Sequence, residues 1–146
     1  MRAVNATALD GVIEIIRAPL YRDERGTYDK VFHVAEYRHI LHDTQFVEEN
    51  VSVSYKHVLR GIHGDNNTAK IATCLYGHVY NVVVNYDLSS PQYLQWVGFE
   101  LTPENGRQLF IPPKFGNAYL VLSDWAIYAY KQSSYYLGAD QQFTLH

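Results

Sequence analysis

Three residues in this chain are of the types needed to move a proton next to a carbonyl: His63, Lys70 and Tyr130. An imidazole titrates near neutrality and can take a proton as a general base. An ammonium held in place beforehand can stabilise the negative oxygen that results. A phenol keeps its proton at neutral pH and can deliver one from the opposite side. Arg25 and Arg60 add the guanidinium fork that suits a diphosphate. Taken singly, each has a plain structural reading: a satisfied histidine, a loop lysine, one more strand tyrosine, a turn arginine balanced by Asp23 and Glu24.

The elements that must position them read as β-strands. Val58-Leu59-Arg60 leads into His63, and strand alternation places Leu59, Gly61, His63 and Asp65 on one side with Arg60 and Ile62 on the other. Lys70 ends the polar loop that begins at Gly64 and opens the apolar run Ile71 to Leu75. Tyr130 ends a strand that starts at Ala126. Further strands are expected over Gly11 to Ile16, Thr27 to Phe32, Val51 to Ser54, Gly77 to Tyr86, Trp96 to Leu101 and Ala118 to Leu122. Turn clusters separate them at Ser89-Ser90-Pro91, Thr102 to Gly106 and Pro112-Pro113-Lys114. One helix is predicted, Val34 to His42, from the spacing of Val34, Tyr37, Ile40 and Leu41. Many short strands with regular turns describe an all-β sandwich or barrel, and this pattern alone does not separate a jelly roll from another sandwich.

The chain has 146 residues, no internal repeat and no linker, so one domain over residues 1–146 is expected. The net charge of -3 is dispersed. No basic block suggests nucleic acid and no basic amphipathic stretch suggests a membrane surface. The start of the chain lacks the apolar region of a secretory signal, and no run reaches the roughly 18 apolar residues of a membrane span. Cys74 stands alone in an apolar run and reads as a small core residue of a reducing compartment, so the expected location is cytoplasmic. Thirteen tyrosines suit half-buried strand surfaces, and a few could line a sugar or base pocket. There is no Gly-rich phosphate loop, nucleophile elbow or Cys-His pairing.

Val58 to His63, Arg107 to Gly116 and Tyr130 to Tyr136, in that order, resemble the dTDP-4-dehydrorhamnose 3,5-epimerase family of cupin-type nucleotide-sugar epimerases. The likeness extends through Asp23-Glu24-Arg25-Gly26, Phe46 to Asn50 with Ser52 and Ser54, Lys70, Asn81 to Asn85, and Ser89 through Gly98. The resemblance implies a cupin jelly roll (double-stranded β-helix) with one short N-terminal helix. It implies a homodimer that exchanges N-terminal strands and acts on a nucleotide-diphosphate 4-keto sugar. His63 would remove the proton α to the ketone, Lys70 would hold the enolate, and Tyr130 would be the acid on the other face. Arg25 and Arg60 would bind substrate and its diphosphate. Asn50 would contact the sugar, with Glu48, Asp65, Asn117 and Tyr136 completing the substrate-binding set. No cofactor is implied. The metal-binding cupins carry two histidines one residue apart; here Gly64 and Asp65 follow His63, so no metal is expected.

Three departures from the family pattern carry expectations of their own. The family's base histidine pairs with a later aspartate that has no counterpart here. That leaves Asp65 as the same-face acid to orient His63, or a weaker base, or a longer natural chain. Asn117 stands where the family commonly has histidine. Gly64-Asp65-Asn66-Asn67 replaces an aromatic-containing loop, and with Pro113 to Asn117 and Tyr130 to Tyr136 it looks like the branch acting on GDP-linked 4-keto-heptoses of capsule and lipopolysaccharide synthesis. The alternatives are a 3,4-ketoisomerase and a cupin that binds sugar nucleotides without turning them over.

Overall fold

Residues 1–146 are described by a computed structural model, in which the alternating segments form thirteen strands. In chain order they are β1 (Ala3–Ala6), β2 (Ile13–Ile16), β3 (Tyr21–Asp23), β4 (Gly26–Tyr28), β5 (Glu48–Tyr55), β6 (Leu59–Gly64), β7 (Lys70–Tyr76), β8 (Val79–Asn85), β9 (Trp96–Leu101), β10 (Arg107–Ile111), β11 (Phe115–Val121), β12 (Trp125–Gln132) and β13 (Phe143–Thr144). One helix, α1 (Val34–Tyr37), precedes β5. Six strands pair in the order β1-β2-β10-β7-β12-β5 and five in the order β13-β6-β11-β8-β9, while β3 and β4 pair only with each other. The pairings are antiparallel throughout. From β5 onward the chain passes back and forth between the two large sheets, giving the jelly roll of the cupin type.

The core lies between the sheets. Ala72 and Cys74 from β7, Val79 and Val83 from β8, Leu109 and Ile111 from β10 and Tyr128 from β12 are almost completely buried there. Burying each of the larger aliphatic side chains contributes about 1.5–3 kcal/mol. A second cluster covers the outer face of the six-stranded sheet, with Ile15, Ile71 and Phe110 packed under Tyr37, Ile40 and Leu41. Strand β7 is thus covered on both sides, and alternation sends Lys70 inward with Ala72 and Cys74. Burial also pushes the Cys74 thiol up to about 12, which keeps it an inert core group.

The helix is shorter than its apolar spacing predicts. It ends at Tyr37 instead of His42, although Ile40 and Leu41 still pack inward in the turns that follow. Its N-cap residue His33 makes no side-chain cap; after Arg38 the chain runs on as turns, with the Ile40 and Leu41 N–H groups both donating to the Tyr37 carbonyl, and positive φ at His42 and Asp43 then turns it away. Tyr130 lies within β12, not at its end, which falls at Gln132.

The larger correction concerns β6. Asn117 pairs with His63 and Tyr119 with Arg60, so Gly61 and Ile62 of β6 oppose only Ala118 of β11. This bulge breaks the two-residue alternation and turns Arg60 and His63 to the same face. Gly61 has φ +108, and a side chain there would run into the Asn117 carbonyl and Ala118, so glycine is required at the bulge.

Candidate active site

The inward faces of β5, β6, β7, β11 and β12 line an open-ended cavity of about 550 Å³. His63 and Arg60 come from the five-stranded sheet. Lys70 and Tyr130 come from the six-stranded sheet across the cavity. The lining holds two basic side chains, Arg60 and Lys70, and no carboxylate. An anionic ligand is therefore favoured, and a carbonyl oxygen gaining charge would be stabilised.

Lys70 is only 8 % exposed, against the loop-lysine reading of its sequence position. Burial lowers its pKa, an effect opposed by the Asp65 carboxylate. Its Nζ lies 5.5 Å from the centre of the Tyr130 ring. Arg60 is held by its Nε, which donates to Ser54 Oγ at 2.8 Å. Its remaining guanidinium nitrogens make no hydrogen bond to protein, and the side chain lines the cavity.

Four tyrosines line the cavity, and their hydroxyls are not equivalent. Tyr128 belongs to a closed ring of hydrogen bonds. Its hydroxyl donates to Asn81 Oδ1 at 2.6 Å, Asn81 Nδ2 donates to Asn117 Oδ1 at 2.8 Å, and Asn117 Nδ2 donates to the Tyr128 oxygen at 3.0 Å. Asn81 and Tyr128 are buried, Asn117 is half-buried at the cavity wall, and all three side chains are hydrogen-bonded, which accounts for an amide at position 117. Tyr119 stacks on Tyr128 with ring centres 3.9 Å apart, and its hydroxyl shares a 2.5 Å hydrogen bond with Ser52 Oγ. Tyr130 and Tyr136 make no hydrogen bond through their hydroxyls. Tyr136 is 55 % exposed, whereas Tyr130 is half-buried. Burial raises the Tyr130 pKa first, and the nearby Glu48 carboxylate adds to the rise. Of the four, Tyr130 combines a free hydroxyl with surroundings that keep it protonated.

His63 stands at the exposed rim, where its Nδ1 lies 3.1 Å from Thr144 Oγ1. Asp65, the acid expected to orient it, is engaged elsewhere. Its Oδ1 accepts the backbone N–H groups of Asn67 at 2.8 Å and Thr68 at 2.6 Å, closing the turn into β7. The structure therefore brings Arg60, His63, Lys70, Asn117, Tyr130 and Tyr136 around one cavity. It leaves Arg25, Glu48, Asn50 and Asp65 outside that lining. Glu48 accepts hydrogen bonds from Gln132 and, at 3.1 Å, from Asn50 Nδ2, so these two residues are tied to each other beside Tyr130. Arg25 sits on the exposed β3–β4 hairpin and pairs with Asp23 at 2.6 Å. No group of three or more His, Cys, Asp or Glu side chains is arranged to hold a metal ion.

Sequence reasoning did not single out Tyr119, Tyr128, Gln142 or Thr144. Two of these were hidden among thirteen tyrosines of similar setting. Ser52 showed as part of an alternating strand and of the family resemblance, with no role attached to it. Nothing in the spacing announces that Thr144 meets His63 across 81 positions of chain.

Comparison with known proteins places this arrangement among relatives. The family model described as dTDP-4-dehydrorhamnose 3,5-epimerase matches residues 6–146. The dTDP-4-dehydrorhamnose 3,5-epimerase of Salmonella typhimurium is 36 % identical over 140 residues, which cover 93 % of this chain and 76 % of the relative. The enzyme of that name from Escherichia coli is 37 % identical over 134 residues, 89 % of this chain and 72 % of the relative. Among solved structures, a dTDP-6-deoxy-D-glucose-3,5-epimerase from Legionella pneumophila in complex with dTDP-4-keto-L-rhamnose superposes with a TM-score of 0.90 at 37 % identity, over 99 % of this chain and 77 % of that one. A 4-keto-6-deoxy sugar epimerase of the novobiocin cluster from Streptomyces spheroides gives 0.89 at 29 % identity, over 99 % and 73 % of the two chains.

Proposed function

The chain belongs to the dTDP-4-dehydrorhamnose 3,5-epimerase family, and from that premise we propose that its cavity inverts C3 and C5 of a dTDP-linked 4-keto-6-deoxy sugar. The observation that carries the reading is the placement of His63 and Tyr130 on opposite walls of one cavity, with Lys70 beside Tyr130. Inversion at carbon needs a base on one face and an acid on the other. His63 takes the proton from the carbon next to C4, and the bonding electrons move onto the ketone oxygen. Lys70 stabilises the enolate. Tyr130 gives its proton to the opposite face, the ketone re-forms, and solvent restores both groups. The two half-reactions need only an acid and a base. Arg60 and the carboxylate-free lining favour the diphosphate.

The test is solvent deuterium uptake by dTDP- and GDP-linked 4-keto sugars, followed by NMR. Uptake at C3 and C5 of the dTDP sugar, with inverted product, is expected. Uptake with the GDP sugar alone would move the assignment to the heptose branch suggested by Gly64-Asp65 and Tyr130 to Tyr136. A 3-keto product would identify a ketoisomerase, and binding without exchange would identify a non-catalytic sugar-nucleotide protein.

A homodimer is part of the proposal. Strand β5 is an unpaired sheet edge, and it presents Val51, Val53 and Tyr55 outward at 58, 57 and 76 % exposure. Exposed apolar edge strands are normally covered. The β3–β4 hairpin, which joins neither large sheet, is free to carry Arg25 to the cavity of a second copy. Sedimentation equilibrium giving twice the 16.8 kDa chain mass is expected, and a monomer at micromolar concentration would reject this part. The compartment proposed is the cytoplasm, on the reading of Cys74 as a reduced core thiol, and the product would be a deoxysugar donor for surface polysaccharide.

A further inference from the structure

We propose that the buried Arg17–Asp29 ion pair clamps the neck of the β3–β4 arm and so positions Arg25 for the diphosphate bound by a second copy of the chain. Its functional meaning rests on the homodimer reading above, while the clamp itself stands on geometry within one chain. Arg17 is the first residue after β2, and Asp29 is the first after β4. Residues 18–28 between them are exposed or half-buried, and their two strands pair only with each other. At the neck the setting reverses. The Arg17 side chain is 2 % exposed, its Nη2 donates to Asp29 Oδ2 at 2.7 Å, and its backbone N–H donates to the Gly106 carbonyl at 2.8 Å. Two residues past Asp29, the Val31 carbonyl accepts from Gln108 Nε2 at 2.9 Å and from the Tyr37 hydroxyl at 3.1 Å, and both of those side chains are buried. Gln108 Nε2 also donates to Thr73 Oγ1 on β7 at 2.8 Å. Both legs of the arm are thus tied to the six-stranded sheet.

Stability alone does not explain the pair. Arg17 Nε and Nη1 are buried without a hydrogen-bond partner, and a buried cation with unpaired N–H groups is costly. Apolar residues of similar volume would pack there at less cost. What the ion pair adds is direction. One guanidinium nitrogen against one carboxylate oxygen sets the angle at which the two legs leave the sheet. Arg25 lies four residues from Asp29, so its backbone stays within about 13 Å of the clamp. A swing of about 10° at the neck would move it by about 2 Å, beyond the range over which a guanidinium holds a phosphate oxygen. Arg17 is buried at the neck and Arg25 exposed at the tip, so Arg17 is a positioning residue.

The experiment uses the full chain as wild type, Arg17→Met with Asp29→Asn, Arg17→Lys, Arg25→Ala, and Arg25→Ala combined with the first pair of changes. Changing both members of the ion pair avoids stranding a buried charge, which keeps the variant folded. Hydrogen exchange across residues 18–28, the dissociation constant for dTDP, and KM and kcat for the dTDP sugar are measured. Arg25→Ala is expected to weaken dTDP binding about tenfold to a hundredfold, the range for one charged hydrogen bond. The neutralised pair should speed exchange across residues 18–28 at least about tenfold and leave the β7 and β12 amides protected. It should weaken dTDP binding and raise KM about fivefold with kcat within about twofold, because only part of the population then presents Arg25. With Arg25→Ala already in place, the same two changes should alter dTDP affinity by less than about twofold. Arg17→Lys keeps a cation opposite Asp29 and should stay within about twofold of wild type. Wild-type arm exchange in the neutralised pair, or an affinity loss of the same size with and without Arg25, would overturn the inference. An Arg25→Ala chain that binds dTDP as tightly as wild type would sink the second-copy reading instead, and arm exchange would still decide the clamp.

Discussion

His63→Ala is expected to lower turnover by about a hundredfold to ten-thousandfold and to abolish deuterium uptake at both carbons, the range for loss of a positioned general base. Tyr130→Phe should behave differently. With His63 intact the carbon acid is still deprotonated, and the imidazolium can exchange its proton with solvent and return it to the same face. Deuterium uptake should therefore persist in Tyr130→Phe while formation of inverted product falls. Uptake that survives in His63→Ala, or that vanishes equally in both variants, would refute the division of labour across the two walls. The pair is informative because both residues sit on sheets whose cores do not depend on them: His63 is exposed, and phenylalanine keeps the Tyr130 ring against Tyr128 and Lys70.

Lys70→Met carries the second large effect, and it has opposite signs on activity and stability. Removing a preorganised charge from a developing oxyanion costs about a hundredfold to a thousandfold in kcat. The same charge is buried in the folded chain, and burial is the main cause of its lowered pKa. At neutral pH the ammonium is protonated in the unfolded chain, and folding must desolvate it. Methionine fills the space without that cost, so the variant should melt higher, by about 2–4 °C for each kcal/mol relieved. The pH dependence follows from proton counting. As pH climbs through the lowered folded pKa towards the unfolded value of about 10.4, the unfolded chain binds more protons than the native one, and wild-type stability rises. The gap between wild type and Lys70→Met should thus be widest near neutrality and close towards pH 10. Parallel melting curves over that interval would show that Lys70 is not a destabilised cation. Such an exchange of stability for function is common at active sites.

The fold class was legible because alternation and turn residues are local signals, and they recur along most of this chain. The reading of Cys74 as core and of Ile40 and Leu41 as inward-facing followed from the same local logic and agrees with their burial. The helix was over-extended because spacing reports which residues face inward, and the turns after Arg38 keep Ile40 and Leu41 inward without a helix. At the cavity, Lys70 and His63 could be placed by strand position. The partner of His63 could not, because Asp65 is near in sequence and Thr144 is near only in space. Arg60 was assigned to the wrong face for a related reason. Alternation presumes one residue opposite one residue, and Gly61 with Ile62 opposes Ala118 alone.

That two-against-one step in β6 makes the function of this chain a matter of counting as much as of composition. Remove a single residue between Arg60 and His63, and every group discussed above is still present in the polypeptide, yet imidazole and guanidinium can no longer look into the same space. The bulge acts as punctuation: it changes the meaning of the residues on either side without contributing a functional group. In a chain of this family, a length difference between the arginine and the histidine would say more about lost activity than many substitutions in the cavity wall.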